Sequence, residues 1–304
     1  MRARYPDTAG SVERDGVTLG YEVFGDGETT ILLLPTWTII HSRFWKMQVP
    51  YLARRYRVLA YDGPGNGRSD RVTDPARYAA DSCAADAAAV LDACGVDRAI
   101  VVGLSLGGQY GTRLASLHPD RVSGLVLIGP ALPLVPPAPE RASIGDNFLE
   151  PYPDNPQGWD KYNLAYWRDH YEDFAGFFFS QVFSEPHSTK PIEDAVRWAM
   201  AGGPDILAAE ASRPALSQDG SVGSVASPTE AIEQWSGILA GLACPVLVVH
   251  GTHDRIQPYE AGVEAARITG GTMVSLVGSG HMPNVRDPVR FNLVLNDFIE
   301  RVSA

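Results

Sequence analysis

The chain is poor in cysteine. Its 304 residues hold Cys83, Cys94 and Cys244, an odd and scattered set with no C-x-x-C pair. That argues against a disulfide framework and against a thiolate zinc cage. Long apolar runs are missing too. No stretch approaches the roughly 18 apolar residues of a spanning helix, and the opening MRARYPDTAGSVERDG contains no apolar core of a secretory signal. A reducing cytoplasm and no membrane association are the expectation. Basic charge is scarce: the net charge is −11 and no basic stripe stands out, so no nucleic-acid partner is expected. Phosphate cradles are absent as well. Gly65, Gly67 and Arg68 lie outside any strand–G-x-x-x-x-G-K-[ST]–helix order, and Arg68 is read as pairing within its own loop. His250, His253 and Asp254 fit no metal-ligand spacing, and neither metal nor cofactor is implied. There is no internal repeat and no low-complexity tail.

What is present is alternation. SVERDGVTLGYEVFG reads as a hairpin turning at Asp15-Gly16. Short continuous apolar runs follow at 29–35, 56–62, 98–103 and 122–129, each the pattern of a strand buried on both faces, and further strands are read at 244–251 and 272–278. Helical stretches lie between them, near 82–93, 106–118 and 260–267, and DPVRFNLVLNDFIERV closes the chain as an amphipathic helix with Val289, Leu293, Phe298 and Val302 among its apolar positions. Strands alternating with helices imply an α/β fold with a mostly parallel sheet and right-handed crossovers.

The alternation breaks between Pro130 and Trp235. Half of the aromatic residues, 14 of 28, fall between Leu132 and Trp235, so this block needs an apolar layer of its own. It is read as a mainly helical insertion, 132–235, within a core of 1–131 and 236–304. Spacings such as Tyr162, Tyr166 and Phe174 suit one helix face. Trp159, Trp167 and the run Phe177-Phe178-Phe179 are candidates for both a small aromatic core and a pocket wall.

GLSLGGQYG, residues 103–111, matches G-x-S-x-G with a strand before it and a helix after it. The glycines relieve crowding at a tight turn where Ser105 takes a strained backbone conformation. Ser105 occupies the middle glycine position of G-x-G-x-x-G, which excludes a dinucleotide fingerprint. A serine hydroxyl needs a general base oriented by a carboxylate. On such an elbow the partners follow in the order serine, acid, histidine. Asp254 in VVHGTHD and His281 in VGSGHMPNVRDP each follow a strand in that order. Asp62 and Asp70 follow a different strand and are read as loop-shaping. The helix after Ser105 turns its free N–H groups toward the site, and Leu106 offers one to a developing oxyanion.

With YDGPGNGRSD, GLSLGG, HGTHD and GSGHMPNVRDP in this order, the chain resembles the α/β-hydrolase-fold superfamily, specifically its cap-bearing serine hydrolases and esterases. The resemblance runs from about Val12 to Val302 and leaves out most of the insertion. It implies Ser105 as nucleophile, His281 as base, Asp254 as acid, and the 132–235 block as a cap over them. One segment departs from the family pattern. Where that pattern has His-Gly after the first parallel strand, this chain has Pro35-Thr36, so Trp37 supplies the second oxyanion N–H. Thr38 and His41 lie beside this loop and are candidate substrate contacts, with Trp159, Trp167 and Phe178 from the insertion; His41 equally suits a capping role. The expected activity is cofactor-free hydrolysis of a small-molecule carboxylic ester or lactone with an apolar acyl part, by a monomer or homodimer. Two alternatives stay open: a biosynthetic tailoring enzyme of the same fold, performing acyl transfer, cyclisation or carbon–carbon cleavage, and a non-catalytic ligand-binding member.

Overall fold

A computed structural model describes residues 4–141, 144–216 and 227–303 of the chain. Among these residues eight strands form one sheet: β1 Thr8–Arg14, β2 Val17–Phe24, β3 Thr30–Leu33, β4 Arg57–Tyr61, β5 Ala99–Leu104, β6 Val122–Ile128, β7 Val246–Gly251 and β8 Thr272–Leu276, in the spatial order β1-β2-β4-β3-β5-β6-β7-β8. The β1–β2 and β2–β4 pairs are antiparallel and all others are parallel. The opening hairpin turns at Asp15 and Gly16, both at positive φ, 50° and 75°, as a tight two-residue connection requires.

The continuous apolar runs have the expected cause. Successive strand side chains point to opposite faces, and here both faces are covered. Ile31, Val102, Ile128 and Val249 join one core cluster, while Leu32, Val101, Leu127 and Val248 join the other. Helices Ala80–Ala93, Leu106–Leu117 and Tyr259–Thr269 cover the second face, and Pro288–Ser303 covers the first. That last helix is amphipathic, but its buried face is set by Phe291, Leu295, Phe298 and Ile299. Val289 and Leu293 are 68% and 58% exposed.

The 132–235 insertion, of which 142–143 and 217–226 lie outside the described residues, is built from helices Leu164–Val182, Thr189–Ala199, Pro204–Ala211 and the start of Pro228–Ala240. Its aromatics do not form a separate small core. Tyr166, Trp167, Phe174, Phe178 and Phe179 belong to the same cluster as one face of the sheet. Tyr162 is not on the helix with them. Asn163 caps that helix by accepting the Tyr166 N–H at 3.1 Å, and the backbone kinks at His170, so Tyr166 and Phe174 sit on different helical segments. The helix Pro228–Ala240, started by a Ser227/Glu230 capping box, runs through the expected boundary at 235/236 and buries Trp235 and Leu239 against the second sheet face. Among the described residues, no helix is long and apolar enough to cross a membrane.

Candidate active site

Ser105 stands between β5 and the helix Leu106–Leu117 at φ 54° and ψ −116°. This is left-handed territory that a side chain enters only when its surroundings enforce it. The surroundings do so. The Ser105 N–H donates to Ile128 O at 2.9 Å, and Ser105 O accepts from the N–H groups of Gly108 and Ala131. The neighbouring glycines are steric necessities: a Cβ at Gly103 would lie 2.1 Å from Gly107 O, and one at Gly107 would lie 2.5 Å from Pro35 O.

Asp254 and His281 come from the loops after β7 and β8. Backbone bonds join these loops, from the Thr252 N–H to Leu276 O at 3.1 Å and from the His253 N–H to Ser279 O at 2.9 Å. Gly251 permits the approach, since a Cβ there would meet Ser279 O and Gly280 O at 2.3 Å. His281 Nδ1 lies 2.8 Å from Asp254 Oδ2, and His250 Nε2 lies 3.0 Å from the same oxygen. Asp254 Oδ1 accepts the N–H groups of Ile256 and Gln257 at 2.7 and 2.9 Å. These contacts fill the acceptor capacity of the carboxylate. Burial pushes the Asp254 carboxyl up, but the His281 charge and the hydrogen bonds from His250 and His281 prevail and hold it well below the usual carboxylate range. An ionised carboxylate only accepts, so His281 donates from Nδ1, and a neutral imidazole held this way presents Nε2 as an acceptor.

Gly129 lies beneath the three groups. A Cβ there would stand 3.0 Å from Asp254 Oδ2 and 3.2 Å from His281 Nδ1, while Ser105 hydrogen-bonds to Ile128 and Ala131 on either side of it. The carboxyl ends of β5, β6, β7 and β8 thus meet around one residue without a side chain. Among the described residues no hydrogen bond joins Ser105 Oγ to His281; in unliganded sites such bonds are often long and tighten with substrate. A cavity of about 440 Å³ opens beside Ser105, Leu106 and Trp37. Neither the Leu106 nor the Trp37 N–H has a hydrogen-bond partner among the described residues.

A model of the alpha/beta hydrolase fold matches residues 29–288. The chain belongs to the alpha/beta hydrolase fold family. A Variovorax paradoxus (strain S110) protein with the provisional name carbamate hydrolase RutD is 28% identical over 290 residues, 94% of this chain and 97% of its own length. A protein of the same provisional name from Caulobacter segnis is 39% identical over 123 residues, 40% of this chain, and the match spans only 45% of that relative. The crystal structure of the esterase RhEst1 from Rhodococcus sp. ECU1013 superposes with a TM-score of 0.72 at 27% identity, over 96% of this chain and 98% of that one. These similarities extend the shared fold over nearly the whole chain.

Within this alpha/beta hydrolase, the pocket candidates separate. Phe178 and Trp37 line the cavity, with their rings 4.8 Å apart. Trp167 is fully buried in the core. Half-buried Trp159 packs edge-on against Phe177 at 5.2 Å and is not among the cavity-lining residues. His41 Nδ1 accepts the Arg43 N–H and caps a short helix, away from the cavity. Thr38 is likewise not a lining residue: its N–H and hydroxyl both bind Glu210 Oε2, at 2.7 and 2.6 Å. Asp62 shapes its loop by accepting the N–H groups of Ser42 and Arg68, both at 2.9 Å. Asp70 accepts the Thr18 N–H at 2.7 Å.

Sequence reasoning missed several residues. Glu210, on the insertion helix Pro204–Ala211, is fully buried and also accepts the Tyr110 hydroxyl at 3.1 Å, so it ties the loop carrying Trp37 to the helix behind Ser105. The end of Leu164–Val182 grips the His281 loop: Val182 O accepts the His281 N–H at 3.1 Å, and Glu185 accepts the Gly280 N–H at 2.7 Å. Gln109, Arg141, Tyr162 and Arg213 line the cavity. Nothing in their spacing announced this, because they converge only in three dimensions.

Proposed function

We propose that the protein is a serine hydrolase cleaving a carboxylic ester or lactone through Ser105, His281 and Asp254, with the 132–235 insertion as a cap over the site. The observation carrying this reading is the saturated Asp254 carboxylate holding His281 by Nδ1 next to a strained elbow serine. His281 Nε2 takes the Ser105 proton as Oγ attacks the carbonyl. The free N–H groups of Leu106 and Trp37 receive the oxyanion, aided by the helix that begins at Leu106. His281 then protonates the leaving alcohol. Water, activated by the same base, resolves the acyl-enzyme. His250 is a positioning residue that shares Asp254 Oδ2 with His281. The apolar share of the cavity wall, including Leu132, Val135 and Phe178, suits an apolar portion of the substrate. Hydrolysis of a related acyl bond, that of a carbamate, is what the provisional name of the bacterial relatives suggests.

Ser105→Ala tests the reading. It should lower kcat on any accepted ester by a factor on the order of 10⁶ with the fold retained, as when a triad nucleophile is removed. Turnover near the wild-type value in a preparation free of other esterases would overturn the assignment.

A further inference from the structure

Two guanidinium groups stand in the wall of the cavity that holds Ser105. Arg141 precedes the helices of the insertion, and Arg213 follows the helix Pro204–Ala211. Among the described residues no carboxylate lies within ion-pair distance of either. The nearby carboxylates are committed elsewhere: Asp254 to four donors, and Glu210 to Thr38 and Tyr110. Arg141 donates to Ile256 O, lies 4.8 Å over the Trp159 ring, and keeps a buried Nε without a partner. Arg213 donates to Glu210 O at 3.0 Å. Each guanidinium has five N–H donors in a fixed fork, so most remain for something else. Tyr162 shows that the two charges reach one place. Burial pushes this cavity-lining phenol up, the Arg141 and Arg213 charges both pull it down, and the Glu210 carboxylate opposes them more weakly. Two guanidinium groups in one cavity wall, with donors to spare and no carboxylate at ion-pair distance among the described residues, favour an anion entering beside them.

We propose that Arg141 and Arg213 form an anion subsite next to Ser105, so that the substrate is an ester-type molecule bearing a carboxylate as well as an apolar chain. The inference rests on the serine-hydrolase reading for its chemistry, and on the two arginines alone for its specificity. Paired guanidinium forks match a carboxylate by two parallel N–H···O bonds.

The test compares substrates matched but for one charge. p-Nitrophenyl hexanoate and mono-p-nitrophenyl adipate place a methyl or a carboxylate at the end of the acyl chain; phenyl acetate and 4-acetoxybenzoate vary the alcohol side. Wild-type protein should favour the anionic member of at least one pair by about tenfold or more in kcat/KM. Arg141→Gln and Arg213→Gln should each lower that ratio, and Arg141→Lys should keep part of it. Binding is read separately by calorimetry of monomethyl adipate against methyl hexanoate on the Ser105→Ala protein. Adipate preference without turnover in wild-type protein would keep the subsite and sink the hydrolase reading. Turnover with no anionic preference in either pair, and a ratio unmoved by the arginine substitutions, would overturn the subsite and leave the hydrolase reading standing.

Discussion

The sheet core and the 132–235 insertion serve the site in different ways. The core supplies Ser105, Asp254 and His281 from the carboxyl ends of parallel strands, each held by backbone hydrogen bonds that the fold makes in any case. The insertion supplies grips on loops. Glu210 holds Thr38, and Val182 and Glu185 hold the segment with His281. The comparison teaches that the proposed triad is placed by strand topology and steadied by buried polar contacts from a layer with no strands.

Changes in the core should therefore strike chemistry hardest. Asp254→Asn replaces an acceptor that four donors share and removes the charge that stabilises the imidazolium. A fall of about 10⁴ in kcat is expected, whereas Asp62→Asn should leave kcat far closer to wild type. Steady-state kinetics on one ester compares them. An equal or larger loss at Asp62 would mean that the acid sits after the wrong strand.

Changes in the insertion should act through position. Glu210→Ala leaves the Thr38 N–H, its hydroxyl and the Tyr110 hydroxyl without their acceptor, at roughly 1–3 kcal/mol for each buried group left unpaired. Displacement of the Trp37 loop should lower kcat by about 10–100-fold with a smaller change in KM, and Glu210→Gln should restore much of it. Its pH signature has a definite sign. Burial raises the Glu210 carboxyl, against the pull of the Arg213 charge and the Thr38 hydrogen bonds. The folded protein thus binds this proton more readily than the unfolded chain. Its contribution is fully present below the ordinary glutamate value of 4.5 and is lost as pH rises through the raised folded value. Thermal midpoints across that window should show the trend in wild type and lack it in Glu210→Gln.

The smallest effects on turnover should come from the aromatic layer, where two neighbours divide by role. Trp167→Ala should cost about 3–5 kcal/mol of stability and treat large and small esters alike. Phe178→Ala should change kcat/KM several-fold more for one ester size than for the other. Denaturant melts and a chain-length series measure both. Equal size dependence in the two variants would erase the division.

Much of the core was legible because its rules are local. Strand periodicity gave β3 to β8, and Gly103, Ser105 and Gly107 announced the elbow. Asp254 and His281 stood out because each follows a strand in the required order, and the fold brings their side chains to 2.8 Å. The insertion resisted because its signals are tertiary. Tyr162, Tyr166 and Phe174 have helical spacing, yet Asn163 starts the helix after the first and a kink at His170 separates the other two. Thr38 sits beside Trp37 in sequence, but its polar groups turn to Glu210, far along the chain. Val289 and Leu293 match an apolar helical pattern but face solvent, because the sheet meets the stripe through Phe291 and Leu295. Arg141 and Arg213 share a cavity only after the chain has folded.

The central claim is that Ser105 is a nucleophile activated by His281. Labelling with a fluorophosphonate, followed by peptide mass spectrometry, reads this directly. The account predicts one adduct, on Ser105, formed rapidly in wild-type protein and far more slowly in His281→Gln. An adduct on another residue, or no adduct on folded wild-type protein, would contradict it.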